Sequence, residues 1–145
     1  MSAEQNKATA RRWFFDIIAE GRLSVADEIF AANHVIHDPH GPPGGWPDGP
    51  EGLKMVARIF GGGFSGWDIV VDDQIAEGDR VASRWIASAT NTGPVQGMPA
   101  TGRPVRVTGV NVARFEDGKI AESWFNFDML TLLQQLGAIP APEHG

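Results

Sequence analysis

Apolar residues recur at helical spacing over the first twenty positions. Trp13, Phe14, Ile17 and Ile18 share one side, Ser2 and Gln5 have the spacing of a capping box, and Gly21 is placed to end the helix. A second, shorter helix is predicted from Ser24, with Asp27 at its box position and Val25, Ile29 and Phe30 apolar. A third follows Asp48-Gly49-Pro50, because proline suits a first helical turn; Leu53, Val56, Ile59 and Phe60 form its stripe, and Gly61-Gly62-Gly63 is expected to stop it. Beyond Gly66 the period becomes two. Trp67, Ile69 and Val71 alternate with Asp68 and Asp72, which predicts a strand with one wet face. Val81–Thr92 and Val105–Phe115 read as further strands, and Asp117-Gly118 marks a hairpin into Lys119–Phe127. A last helix is expected over Asp128–Leu136, closed by Gly137 and Pro140. Helices, then a meander of strands, then a helix is an α+β order rather than an alternating βαβ one.

The alternation also sorts faces. Val107, Gly109 and Asn111 fall on one side of the third predicted strand, and Ser123, Phe125 and Phe127 on one side of the fourth, opposite Glu122, Trp124 and Asn126. A glycine in mid-strand marks a kink or room for a ligand. Asn111 beside it is then a single neutral hydrogen-bonding group in an otherwise apolar, aromatic hollow.

Composition bounds the rest. The chain has 145 residues, 42% of them hydrophobic and 21% charged, with a formal net charge of −6. This fits one domain over residues 1–145 with a core of its own. No apolar run approaches the roughly 20 residues of a membrane span, and the first residues lack the pattern of a signal peptide, so a cytoplasmic location is expected and a membrane partner is not. The acidic balance argues against nucleic acid. Cysteine and tyrosine are absent, which leaves acid–base chemistry to His, Asp, Glu, Lys or water.

Residues 39–50 hold nine Pro or Gly among twelve. Such a loop is semi-rigid and, carrying Trp46, is either a lid over a pocket or a surface connector; residues 138–145 read as a tail. The pattern Gly61-Gly62-Gly63-Phe64-Ser65-Gly66 ends a helix and opens a strand, the reverse of what a dinucleotide fingerprint requires. His34, His37 and His40 are three of the four histidines, yet a metal needs three convergent ligands and none is expected here. One imidazole entering a pocket fits the run better. In an extended run His37 and Asp38 point to opposite faces. Asp128 reads as a helix N-cap. Asp16 either sits near the apolar face as a base or lies on the wet edge.

His37-Asp38-Pro39, Gly49-Pro50-Glu51-Gly52, Ala76-Glu77-Gly78-Asp79-Arg80-Val81, Gly97-Met98-Pro99-Ala100-Thr101-Gly102-Arg103, Asp117-Gly118-Lys119-Ile120-Ala121-Glu122 and Leu133–Gly137 run in order along most of the chain. In these segments the chain resembles the SnoaL-like polyketide cyclases. The resemblance implies a cone-shaped α+β barrel of the nuclear-transport-factor-like class. N-terminal helices would pack in a curved, mostly antiparallel sheet around a deep apolar pocket, with a C-terminal helix. It also implies no metal, no organic cofactor and a homodimer. The family's acid–base aspartate on the last strand aligns with Phe125, a histidine before the Trp with Ser123, and a pocket histidine with Asn111.

The leading expectation is a cofactor-independent tailoring enzyme of antibiotic biosynthesis, an isomerase or lyase that closes a ring in, or dehydrates, a bulky aromatic or polycyclic polyketide-type substrate. Asp16 or His37 is the candidate base, Asn111 the holder of the enolate oxygen, and Asp128 a further candidate carboxylate. Trp46, Trp67, Trp85, Met98, Phe125 and Phe127 are candidate walls for a small hydrophobic polycyclic molecule. A non-catalytic ligand-binding domain is the alternative from another class. An epoxide hydrolase of the same fold is a weaker one, since Arg84 and Arg114 show no evident paired carboxylates.

Overall fold

The computed structural model describes residues 2–140, so Met1 and residues 141–145 of the expected tail lie outside the described residues. Helix α1, Ala3–Arg12, opens on the expected capping box, in which Ser2 and Gln5 exchange hydrogen bonds of 3.1 and 3.0 Å. It then widens into a π-helical segment, Trp13–Ala19. More residues per turn keep sequence neighbours closer to one face, so Trp13, Phe14 and Ile17 are all buried. Helix α2 is Val25–Ile29 and α3 is Pro50–Gly63, with proline in its first turn. Strands β2 (Phe64–Glu77), β3 (Arg80–Asn91), β4 (Pro104–Glu116) and β5 (Lys119–Phe127) form the predicted meander, and α4 is Met129–Gln135.

Two elements differ from the periodicity. Phe30–His37 is a strand, β1, which completes a five-stranded sheet of order β1-β5-β4-β3-β2 by pairing parallel with β5; the other pairings are antiparallel. A register shift between Phe30 and Val35 breaks its alternation. Helix α3 also runs through Gly61-Gly62-Gly63 instead of stopping before them. Glycine weakens a helix interior, but here the last carbonyl is well held. Gly63 O accepts from Asn91 Nδ2 at 2.8 Å and from the amides of Thr92 and Gly93.

The helices cover one face of the sheet. Ile17, Ala26, Ile29, Leu53 and Val56 pack against Phe30, Val81, Phe115, Ile120 and Phe125 in a continuous core. A second cluster, Phe64, Ala89, Val105, Val107, Leu132 and Leu136, lies under α4. The arrangement is the expected α+β class, with N-terminal helices, a mixed sheet and a C-terminal helix. Among the described residues no helix is long and apolar enough to cross a membrane.

Candidate functional site

The inner face of the sheet and the helices over it do not close completely. Trp13 and Phe14, Val56 and Phe60, and Trp67, Trp85, Asn111, Phe125 and Phe127 on the strands surround an inner chamber of about 70 Å3. An outer chamber of about 50 Å3 adjoins it, walled by Trp46, Val95, Met98, Leu132, Leu133 and Leu136. Asp38, Val56, Phe60 and Phe127 line both and form the neck between them. The volume matters for the expected guest: an engineered apolar cavity that takes benzene measures about 150 Å3. A polycyclic molecule therefore enters only if neck or roof side chains move aside.

The roof is the Pro/Gly-rich segment between β1 and α3. Its ends are drawn together by Gly49 N donating to His34 O at 2.8 Å. Within it, the Trp46 indole N–H donates to Asp38 Oδ2 at 3.0 Å, while the His40 amide and His40 Nδ1–H donate to Asp38 Oδ1 at 2.9 and 3.1 Å. The absence of a side chain at Gly41 permits this closure, since a Cβ there would stand 2.8 Å from Trp46 Nε1. The Asp38 side chain is only 7% exposed and faces the neck of the hollow. His40 rests on Phe127, with ring centroids 4.2 Å apart.

Asn111 is set by its neighbours across the sheet. It pairs with Ser83 on β3 and Phe125 on β5, and Phe125 stacks on Trp13 at 5.5 Å. The Trp85 indole N–H donates to Asn111 Oδ1 at 3.0 Å, which leaves the amide NH2 as the group able to donate to a ligand. Gly109 explains how Trp85 gets there. A Cβ at Gly109 would lie 2.5 Å from the indole ring, so the mid-strand gap is filled by Trp85 and not left for a guest.

The predicted residues divide into those that line the chambers and those that lie away from them. Asn111, Trp67, Trp85, Phe125 and Phe127 line the inner chamber, and Trp46, Met98 and Phe127 the outer one. Asp16 lies outside both, held by Arg12 at 2.9 Å and Arg22 at 3.2 Å. His37 is 46% exposed on the opposite face, stacked on Trp124 and bonded to Glu122 at 2.6 Å. Asp128 is the N-cap of α4: its carboxylate accepts from the Thr131 amide and hydroxyl, which hold its pKa below the ordinary value. Contrary to expectation, Arg84 and Arg114 are paired, with Asp72 and with Glu116 and Glu122 respectively. Neither arginine lines a chamber, so no carboxylate–arginine–carboxylate set for epoxide opening forms in the hollow.

The three histidines of the run diverge to separate surroundings. His34 is fully buried, with Nε2 at 2.8 Å from Ser123 Oγ and Nδ1 without a partner. Burial pushes its pKa down to about 4, with Glu122 opposing the shift and His37 adding to it. His34 is thus neutral at pH 7, a core group beneath the site. The residue that periodicity left out of the candidate set is Asp38.

A profile of the SnoaL-like polyketide cyclases matches residues 8–136. Among solved structures, TsrD from Streptomyces laurentii is 26% identical with a TM-score of 0.84, over 96% of this chain and 99% of that one. IdmH from Streptomyces antibioticus, a proposed polyketide cyclase, is 33% identical with a TM-score of 0.77, over 92% of this chain and 99% of that one. An NTF2-like protein from Burkholderia pseudomallei, 18% identical, shares the fold with a TM-score of 0.71 over 94% of this chain and 98% of that one. No functionally curated sequence matches the chain.

Proposed function

Because the chain belongs to the SnoaL-like polyketide cyclase family, we propose that it is a cofactor-independent cyclase-like enzyme in which Asp38 is the general acid and base. The observation that carries this reading is a carboxylate only 7% exposed at the neck of an apolar hollow, with an amide donor in the same wall. The substrate class is a neutral, hydrophobic polyketide-type molecule whose reacting ring enters the inner chamber while the remainder passes the neck into the outer one. Asp38 removes a proton from carbon beside a carbonyl, breaking the C–H bond. The Asn111 NH2 donates to the enolate oxygen as charge develops there. The enolate carbon attacks a second carbonyl of the same molecule to form the new C–C bond, and the proton returns from Asp38 to the resulting alkoxide. His40 and Trp46 hold the carboxylate in place and close the roof. Phe125, at the position of the family's aspartate, supplies packing against Trp13 in this scheme. A cytoplasmic, homodimeric protein completes the proposal, with sedimentation equilibrium as the check on the dimer.

Proton abstraction is testable without the natural substrate. The expected result is accelerated exchange of the α-protons of 2-tetralone in D2O, followed by 1H NMR, with Asp38→Asn slowing it by about 10²-fold or more. Exchange by Asp38→Asn at the wild-type rate would remove Asp38 from the mechanism. The non-catalytic reading is favoured by one observation, that both oxygens of Asp38 already have partners. It predicts ligand binding with no exchange in the wild type.

A further inference from the structure

Trp67 carries a polar atom that the catalytic scheme leaves unused. Its indole Nε1 is buried and has no hydrogen-bond partner, although the residue lines the inner chamber. A buried unpaired donor is costly and is uncommon in a well-packed interior. Trp85, in the same wall, is satisfied by Asn111. The backbone around Trp67 is also special. Ser65 pairs with Thr90 and Asp68 with Ser88, so Gly66 and Trp67 together oppose one residue, a bulge that Gly66 permits with φ +70°. The extra residue reverses the alternation and puts both Phe64 and Trp67 against the helices, where Phe60 meets the Trp67 ring edge-on at 6.2 Å.

We infer that the Trp67 indole N–H, which has almost no exposed surface in the chamber as it stands, becomes a second hydrogen-bond donor when a guest widens that chamber, and that the ligand therefore presents two acceptor oxygens there. One oxygen meets the Asn111 NH2 and the other Trp67. Among the described residues neither chamber is lined by Lys or Arg, and Asp38 faces the neck, so an anionic ligand is disfavoured. The ligand class is a neutral diketone or keto-ether on a compact hydrocarbon frame. This inference deepens the proposed function and rests on it only in taking the inner chamber as the ligand site.

The test uses the whole 15N-labelled protein and three neutral six-membered rings of matched size, cyclohexane, cyclohexanone and cyclohexane-1,4-dione, each of which enters the chamber of about 70 Å3 only as neck or roof side chains move aside. The five tryptophans give five indole N–H signals, and Trp67→Phe identifies the one that disappears. The expected result is a downfield shift of the Trp67 indole proton with the dione but not with cyclohexane. In Trp67→Phe the dione should bind about tenfold more weakly, with cyclohexane binding unchanged. If the dione moves the Trp85 signal and leaves that of Trp67 in place, the Trp67 assignment is overturned while the chamber stands. An equal response to cyclohexane and dione overturns it too. If no indole signal responds to any of the three, the chamber is not a ligand site and the proposed function falls with it.

Discussion

His34 makes the stability of this fold depend on pH in a window of its own. In the native chain its pKa is about 4, against 6.5 for the ordinary side chain, because burial disfavours the charged ring. Between those values the unfolded chain binds a proton that the native chain does not. Stability therefore rises with pH through this window: it is fully present above about 6.5 and is lost as pH falls toward 4. At about 1.36 kcal/mol per pH unit the whole effect is about 3 kcal/mol, of which about 2 kcal/mol is gone by pH 5. With a urea slope of about 2 kcal/mol/M, the unfolding midpoint should drop by about 1 M between pH 7.5 and 5. The lowered carboxylates, Asp72, Asp128 and Glu122, titrate below their ordinary values of 3.8, 3.8 and 4.5, so their contribution falls outside this range.

The comparison that isolates the residue is His34→Gln, which keeps an amide nitrogen for Ser123 and cannot titrate. Its midpoint should be lower than wild type at pH 7.5 and nearly flat down to pH 5, so that the two curves converge. Parallel loss of stability in both proteins over pH 7.5–5 would show that the buried ring is not the source, and that His34 is charged or hydrated in the native state.

Two further substitutions probe the frame of the site. Gly109→Ala places a Cβ 2.5 Å from the Trp85 ring and 2.7 Å from Asn126 O; overpacking should cost about 1–3 kcal/mol in urea unfolding and, by displacing Trp85 from Asn111, slow α-proton exchange as well. Asp128→Ala removes the two bonds to Thr131 at the start of α4; Tm should fall by about 3 °C with the exchange rate unchanged, whereas lost exchange would restore Asp128 as a catalytic candidate.

Much of the architecture was legible because the dominant signals are local. The capping box at Ser2, the proline start of α3 and the Asp117-Gly118 turn each act within a few residues. Strand faces followed from alternation: Asn111, Phe125 and Phe127 all reach the hollow as the period places them. What escaped depends on distant partners. The Gly61-Gly62-Gly63 end of α3 is held helical by Asn91, nearly thirty residues on, whose Oδ1 also takes the amide and hydroxyl of Thr101 and so fixes the loop that carries Val95 and Met98. Strand β1 is short, shifted in register and stabilised by a parallel partner far along the chain. No window of local sequence contains that partner.

The proposed carboxylate, Asp38, lies one residue beyond the candidate His37, and the reason the two differ lies in the same strand. Period two correctly sends His37 and Asp38 to opposite faces, but it leaves open which face is inside. That parity is set by the end of β1: His34 is fully buried and Ile36 packs on the core, so from His34 onward the even positions point inward. Asp38 follows them into the hollow, while Val35 and His37 face out, where Glu122 and Trp124 receive the imidazole. The face that His37 occupies is decided by Ile36, two steps before Asp38. An apolar residue two positions ahead of a carboxylate, followed by a proline-stiffened loop ending in Trp46, is the pattern that carries the assignment. It places an ionisable oxygen at the inner end of a strand and gives the loop an indole to latch onto it.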